Sequence, residues 1–151
     1  MGSIKLKVTT KSPYGLPKYE YPGSAGMDLR ANIGDSIVLG PLQRVLIPTG
    51  LFIELPIGME AQVRPRSGLS LKQGLTVLNS PGTIDAGYLG EIGVILINLS
   101  ATNQTINPGD RIAQLVFASV IEAELEQITM EEFDKLETER SSNGFGSSGV
   151  I

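Results

Sequence analysis

Apolar and polar residues alternate along much of this chain with the period of two that a half-buried strand requires. From Ile4 to Val8 apolar positions alternate with Lys5 and Lys7, which predicts an edge or N-terminal strand. In A-G-M-D-L-R-A, residues 25–31, Met27, Leu29 and Ala31 share one face while Asp28 and Arg30 share the other. That charged face reads either as a salt-bridged solvent face or as a functional one. Further strands are predicted at Ser36–Leu39, Arg44–Ile47, Leu51–Leu55 and Glu60–Arg64, separated by Gly40-Pro41, Pro48-Thr49-Gly50 and Pro56-Ile57-Gly58. Arg111 to Ile121 is a long apolar strand interrupted by Gln114, an amide either hydrogen-bonded in the core or aimed at a ligand. Short strands with Gly/Pro turns point to an all-β sandwich or barrel. Met130 to Glu137 is the one helix expected to exceed a single turn.

Three stretches break the rhythm. Pro13, Gly15, Pro17, Pro22 and Gly23 form a loop with Tyr14, Tyr19 and Tyr21 interleaved. Asn79 to Asn98 places Pro81, Gly82, Gly87 and Gly90 around Asp85 and Tyr88, then runs apolar from Ile92 to Ile97. It reads as a tight hairpin with a buried returning strand. Its acid and phenol either line a pocket walled by peptide groups or belong to an Asx-turn and a core-covering ring. In R-P-R-S-G-L-S-L-K, residues 64–72, Pro65 ends a strand and Ser67 is placed to cap a single helical turn. With Arg66 beside it, this turn suits an anion or is an ordinary capped turn, and the P-loop spacing is missing.

Composition narrows the chemistry. The chain has 151 residues and no histidine or cysteine, which removes disulfides, thiol nucleophiles, Ser-His-Asp triads and the common zinc sites. Proton transfer then falls to carboxylates, lysine or tyrosine, and a compatible metal is a hard, oxygen-liganded ion such as Mg²⁺. With 12 basic and 16 acidic residues, net charge −4 and no basic block, the chain lacks a nucleic-acid footprint. Its apolar runs fall short of the roughly 18 residues that a membrane span needs. The N-terminal alternation is unlike a signal peptide, so the expectation is a soluble, cytoplasmic protein of one domain.

Five segments together resemble the trimeric dUTP pyrophosphatases (dUTPases), in that family's order and approximate spacing. They are A-G-M-D-L, P-R-S-G-L, G-T-I-D-A-G-Y-L-G-E, G-D-R-I-A-Q-L and R-x-x-x-G-F-G-S-S-G. The resemblance implies an all-β, jelly-roll-like distorted barrel over residues 1–137 and a flexible C-terminal glycine-rich arm over 138–151. It also implies a homotrimer with shared active sites, each closed by an arm from another subunit.

Carried over position by position, the resemblance makes Asp85 the acid that activates the attacking water. Tyr88 becomes the ring beneath the deoxyribose that leaves no room for a 2′-hydroxyl. Asn79, Gly82, Thr83, Ile84 and Gly93 match the groups that read uracil. Arg66, Ser67, Gly68 and Gln114 match phosphate contacts, and Asp28 matches the acid that holds Mg²⁺ through water. Arg140 matches the arm's phosphate clamp, Phe145 its base-stacking ring, and Gly146 and Ser147 its γ-phosphate contacts. The implied reaction is hydrolysis of dUTP at the α-phosphorus to dUMP and pyrophosphate, which limits uracil in DNA and supplies a thymidylate precursor.

The sequence departs from the family pattern at Ser141 and Asn143, where the arm usually has glycine, and at Gly87, where some members carry a second acid. The competing readings are a dCTP deaminase-like enzyme and a non-catalytic nucleotide-binding trimer. A deaminase of this resemblance has a glutamate ten residues beyond the hairpin aspartate, and that position here is Ile95.

Overall fold

The computed structural model describes residues 3–138 and 140–144. The chain forms two compact units, Met1–Ile121 and Glu122–Ile151.

The first unit is built from eleven strands and one helix. In chain order these are β1 (Lys7–Thr10), β2 (Gly26–Arg30), β3 (Ile37–Leu39), β4 (Arg44–Pro48), β5 (Leu51–Glu54), β6 (Met59–Arg64), α1 (Ser67–Gln73), β7 (Leu75–Val77), β8 (Gly82–Ile84), β9 (Gly93–Asn98), β10 (Gln104–Ile106) and β11 (Arg111–Ser119). The strands pair antiparallel into one four-stranded sheet, β2-β11-β6-β8, one three-stranded sheet, β4-β9-β7, and two ribbons, β1-β5 and β3-β10. This is an all-β, jelly-roll-like barrel.

Alternation in sequence becomes alternation in burial. In β9 Val94, Leu96 and Asn98 point inward, and Gly93, Ile95 and Ile97 lie on the half-covered face. β11 lies between β2 and β6, and Leu115 and Val116 are both buried, one on each face. A register shift between Arg111 and Ala113 makes Ile112 and Ala113 consecutive buried residues, the effect of one extra residue in a strand. The core gathers Leu29, Ile47, Leu75, Val94, Leu96 and Leu115, each contributing about 2 kcal/mol by burial.

Three expectations need correction, and one strand, β10, was not anticipated. The 79–98 stretch is not a ladder-paired hairpin, because β8 joins β6 in one sheet while β9 joins β4 and β7 in another. The first strand starts at Lys7 instead of Ile4, because only Lys7–Thr10 finds partners on β5. The longer helix is α1, ended by Gly74 in the left-handed conformation (φ 64°), with its N–H on Ser70 O at 3.0 Å. β10 lies in a stretch too polar and too short to show a strand period, and Ile106 is its sole buried residue.

The second unit contains α2 (Met130–Phe133), opened by a reciprocal cap. Glu132 Oε2 accepts from Thr129 N at 2.8 Å and from Thr129 Oγ1 at 2.9 Å, while Glu132 N donates to Thr129 Oγ1 at 3.2 Å. The backbone bond first, and then the hydroxyl, lower the Glu132 carboxyl below its ordinary value. This cap therefore contributes fully above the ordinary carboxylate range and is lost as pH falls through the lowered value. Among the described residues no helix is long and apolar enough to cross a membrane.

Asn98 and Thr49 are the buried polar side chains among the described residues, and Asn98 has 0 % exposure. Its Nδ2 donates to Leu39 O and Thr102 O, both at 2.8 Å, and its Oδ1 accepts from Ser100 N at 2.9 Å and Ser100 Oγ at 2.7 Å. The amide thus ties the end of β9 to β3 and to the turn before β10. Asn98→Ala, which takes the amide donor from Leu39 O and the acceptor from Ser100 N, is expected to lower unfolding free energy by about 3 kcal/mol in urea titrations.

Candidate active site

The first group of candidate residues is assembled by strand register. Asp28 lies opposite Gln114 across β2 and β11, and Gln114 lies opposite Arg64 across β11 and β6. Gln114 Nε2 donates to Pro65 O at 2.9 Å, which anchors the chain where it leaves β6 for α1. The amide is only partly buried and lines an open cleft with Arg64, Ser67 and Ser80. Gln114 is thus hydrogen-bonded without being buried in the core, and it faces a space.

Arg66 then places its guanidinium on Asp28. Nε donates to Oδ1 at 2.7 Å, Nη2 to Oδ2 at 3.3 Å, and Nη1 to Arg111 O at 3.0 Å. Arg111 Nη1 approaches the same carboxylate at 3.2 Å. One acid between two arginines leaves one surplus positive charge, in a pair whose side chains are each 28 % exposed. Arg30 is not part of this pairing, since its Nη1 donates to Gly109 O at 2.8 Å. The two charges that alternate with the apolar face of β2 thus do not bridge each other.

Ser67 does not cap α1. Arg66 occupies the cap position with extended backbone (φ −97°, ψ 126°) and no capping side-chain bond, and Ser67 is already helical. Ser67 and Gly68 are the first helical residues and are exposed, so the hydroxyl and the opening N–H groups are available to an external anion.

The second group lies where the chain passes from one sheet to the other. Asn79, Thr83, Ile84, Asp85, Tyr88 and Gly93 line one cavity of about 300 Å³ together with Leu46, Glu91 and Ile95. Among the described residues β8 pairs with β6 alone and is the edge of its sheet, so Gly82–Ile84 present peptide groups with no ladder partner there on the outer side. Gly93 lets the Leu46 side chain cross the strand, because a Cβ there would come within 2.7 Å of Leu46 Cδ1. Asp85 is exposed, and its carboxylate has no hydrogen-bonded or charged partner among the described residues. The turn at this point is a backbone turn, Tyr88 N to Asp85 O at 3.2 Å, and not an Asx-turn. The Tyr88 hydroxyl donates to Glu91 O at 3.0 Å, and the ring is 46 % exposed instead of covering core.

The cavity and the cleft share no lining residue. Arg140 belongs to the second unit, where its Nε donates to Asn143 O at 3.0 Å. Ser141 adopts φ 46°, the left-handed region. Phe145, Gly146 and Ser147 lie outside the described residues. Sequence reasoning missed Arg111 and Glu91 as individual residues, although both stand inside segments it singled out. An arginine opening a strand and a glutamate after a glycine carry no signal until the fold shows their partners.

Among the described residues no three His, Cys, Asp or Glu side chains gather into a cage. Both oxygens of Asp28 already accept from guanidinium groups, so this carboxylate offers a hard ion a contact through water only, with a polyphosphate's own charge offsetting the surplus positive charge.

The family model described as dUTPase matches residues 13–149. The chain is 50 % identical over 149 residues to the deoxyuridine 5′-triphosphate nucleotidohydrolase of Fusobacterium nucleatum, covering 99 % of each. It is 56 % identical over 147 residues to the protein of the same name from Cytophaga hutchinsonii, covering 97 % of this chain and 93 % of that one. A point mutant of the Staphylococcus bacteriophage 80alpha dUTPase, solved with dUpNHpp, superposes with a TM-score of 0.86 at 29 % identity, covering 98 % of this chain and 100 % of that chain. A mutant dUTPase from phage phi11, described with a structural Mg(II) ion, superposes at 0.75 with 26 % identity, covering 83 % of this chain and 97 % of that chain. The chain belongs to the dUTPase family.

Lysine cannot reproduce the two-pronged contact of Arg66 with Asp28. Arg66→Lys is expected to weaken binding of inorganic triphosphate about tenfold by titration calorimetry, with the unfolding midpoint little changed.

Proposed function

We propose that this protein hydrolyses dUTP to dUMP and pyrophosphate by attack of water at the α-phosphorus. The observation that carries the proposal is the cavity where an unpaired Asp85 carboxylate, the Tyr88 ring and the open edge of β8 meet, in a chain whose relatives bear the nucleotidohydrolase name.

In this reading the unpaired peptide groups of Gly82–Ile84, with Asn79 and the backbone at Gly93, hydrogen-bond the uracil edge. The ring of Tyr88 lies under the deoxyribose. The Asp85 carboxylate takes a proton from water as its oxygen bonds to the α-phosphorus, and the bond to the β-phosphate bridging oxygen breaks as pyrophosphate leaves. A carboxylate suits this role in a chain without histidine, and general-base assistance is typically worth about 10²–10⁴-fold. Arg66, Ser67, Gly68 and Gln114 hold the phosphates, and the surplus positive charge around Asp28 attracts them. Asp28 would hold Mg²⁺ through water, and the ion supplies neutralisation of the phosphate oxygens when bound.

A homotrimer belongs to the same proposal. The base cavity and the phosphate cleft have no residue in common on one chain, and a site shared between copies brings such surfaces together. The arm, residues 138–151, would contribute Arg140, Phe145, Gly146 and Ser147 from another copy. Deamination of dCTP is not favoured, since the wall position at 95 is isoleucine, an aliphatic residue with no proton to exchange.

Pyrophosphate release from dUTP, measured with and without Mg²⁺, is the direct test. Asp85→Asn is expected to lower turnover about 10³-fold while nucleotide binding persists. Ammonia release from dCTP, or no turnover of dUTP, would overturn the assignment. Sedimentation velocity of the natural chain is expected to give a trimer, and a monomer that turns over dUTP would remove the shared site.

A further inference from the structure

Tyr88 folds back over its own chain. A Cβ added to Gly90 would collide with Tyr88 Oη and Cζ and come within 2.8 Å of Cε2, so the ring occupies the space that any other residue at 90 would fill. Its hydroxyl ends on the carbonyl of the next residue, Glu91.

That carbonyl is held from several directions. Glu91 Oε1 accepts from Gly50 N at 2.7 Å. Thr49 Oγ1, in a residue only 5 % exposed, donates to Ile92 O at 2.6 Å, and Ile92 N donates to Leu51 O at 2.9 Å. The β4–β5 turn thus grips residues 91 and 92 through a carboxylate, a buried hydroxyl and a backbone bond. The ring of Tyr88 rests on this gripped segment, so its position does not depend on free rotation of an exposed side chain.

We propose that Gly90 and Glu91 are positioning residues for sugar specificity: Gly90 by its missing side chain and Glu91 by its anchored carbonyl hold Tyr88 where it excludes a 2′-hydroxyl. The inference rests on the reading of Tyr88 given above. Gly90 does not line the cavity, and Glu91, which does, acts on the ring through its carbonyl. Their effect passes through the ring, which would turn toward solvent if position 90 carried a methyl group.

The test compares kcat/KM for dUTP and UTP. The natural chain is expected to prefer dUTP. Gly90→Ala is expected to lower that preference about tenfold, with KM for dUTP rising more than kcat falls. Tyr88→Phe keeps the ring and loses only its bond to Glu91 O, and is expected to lower the preference about threefold. Glu91→Ala is expected to lower it as well, and Glu91→Gln, which keeps an acceptor for Gly50 N, to restore it. Circular dichroism establishes that each variant folds; if Gly90→Ala does not, Tyr88→Phe and the Glu91 pair decide. An unchanged dUTP preference in the folded variants overturns the inference while the proposed hydrolysis stands. A natural chain that turns over dUTP and UTP equally overturns the role of Tyr88 and the inference with it.

Discussion

Because β8 and β9 belong to different sheets, the residues between them cross a gap where no strand ladder can hold them. Backbone polar groups in such a crossing must find other partners or remain open. This crossing does both. Toward β9 it is fastened by Thr49, Gly50 and Leu51, and toward β8 it leaves peptide groups and the Asp85 carboxylate unpaired. The cavity is the space this division creates: a rigid floor on one side and unmet hydrogen-bonding capacity on the other.

The charged cluster at Asp28 obeys a different constraint. Two guanidiniums brought together repel each other, and a carboxylate between them offsets that repulsion while leaving excess positive potential. In a chain of net charge −4, this is a local inversion of sign. Register puts it there: Asp28 and Gln114 face each other on adjacent strands, and the Gln114 amide holds the carbonyl that precedes Arg66. Asp28, Gln114 and the carbonyl that precedes Arg66 are therefore placed by the barrel's own ladder, whereas Asp85 and Tyr88 are placed by a turn braced against it.

The strands with clean alternation were readable from sequence, since burial on one face imposes period two. Alternation in Met27, Leu29 and Ala31 marks the inward face of β2 whichever strand pairs with it. Pairing itself was not readable. A glycine-rich turn followed by an apolar run resembles a hairpin whether the flanking strands join each other or separate sheets, and only long-range contacts decide. α1 was underestimated because the serine-led start hid that Arg66 takes the cap position while its side chain reaches Asp28. The five segments identified the candidate site residues, but the partners of Asp28 and Tyr88 emerged only from the fold: Arg111 lies 83 residues from Asp28, and Glu91 acts through its backbone.

That separation bears on biosynthesis. β2 is complete early in translation, but its hydrogen-bonded neighbour β11 is among the last strands of the barrel to leave the ribosome. Until β11 pairs, the Asp28 strand lacks its one ladder partner, and non-local pairing of this kind forms slowly. A nascent chain halted before Arg111 would carry Asp28, Arg66, Asp85 and Tyr88 yet lack the strand that sets Gln114 opposite Asp28.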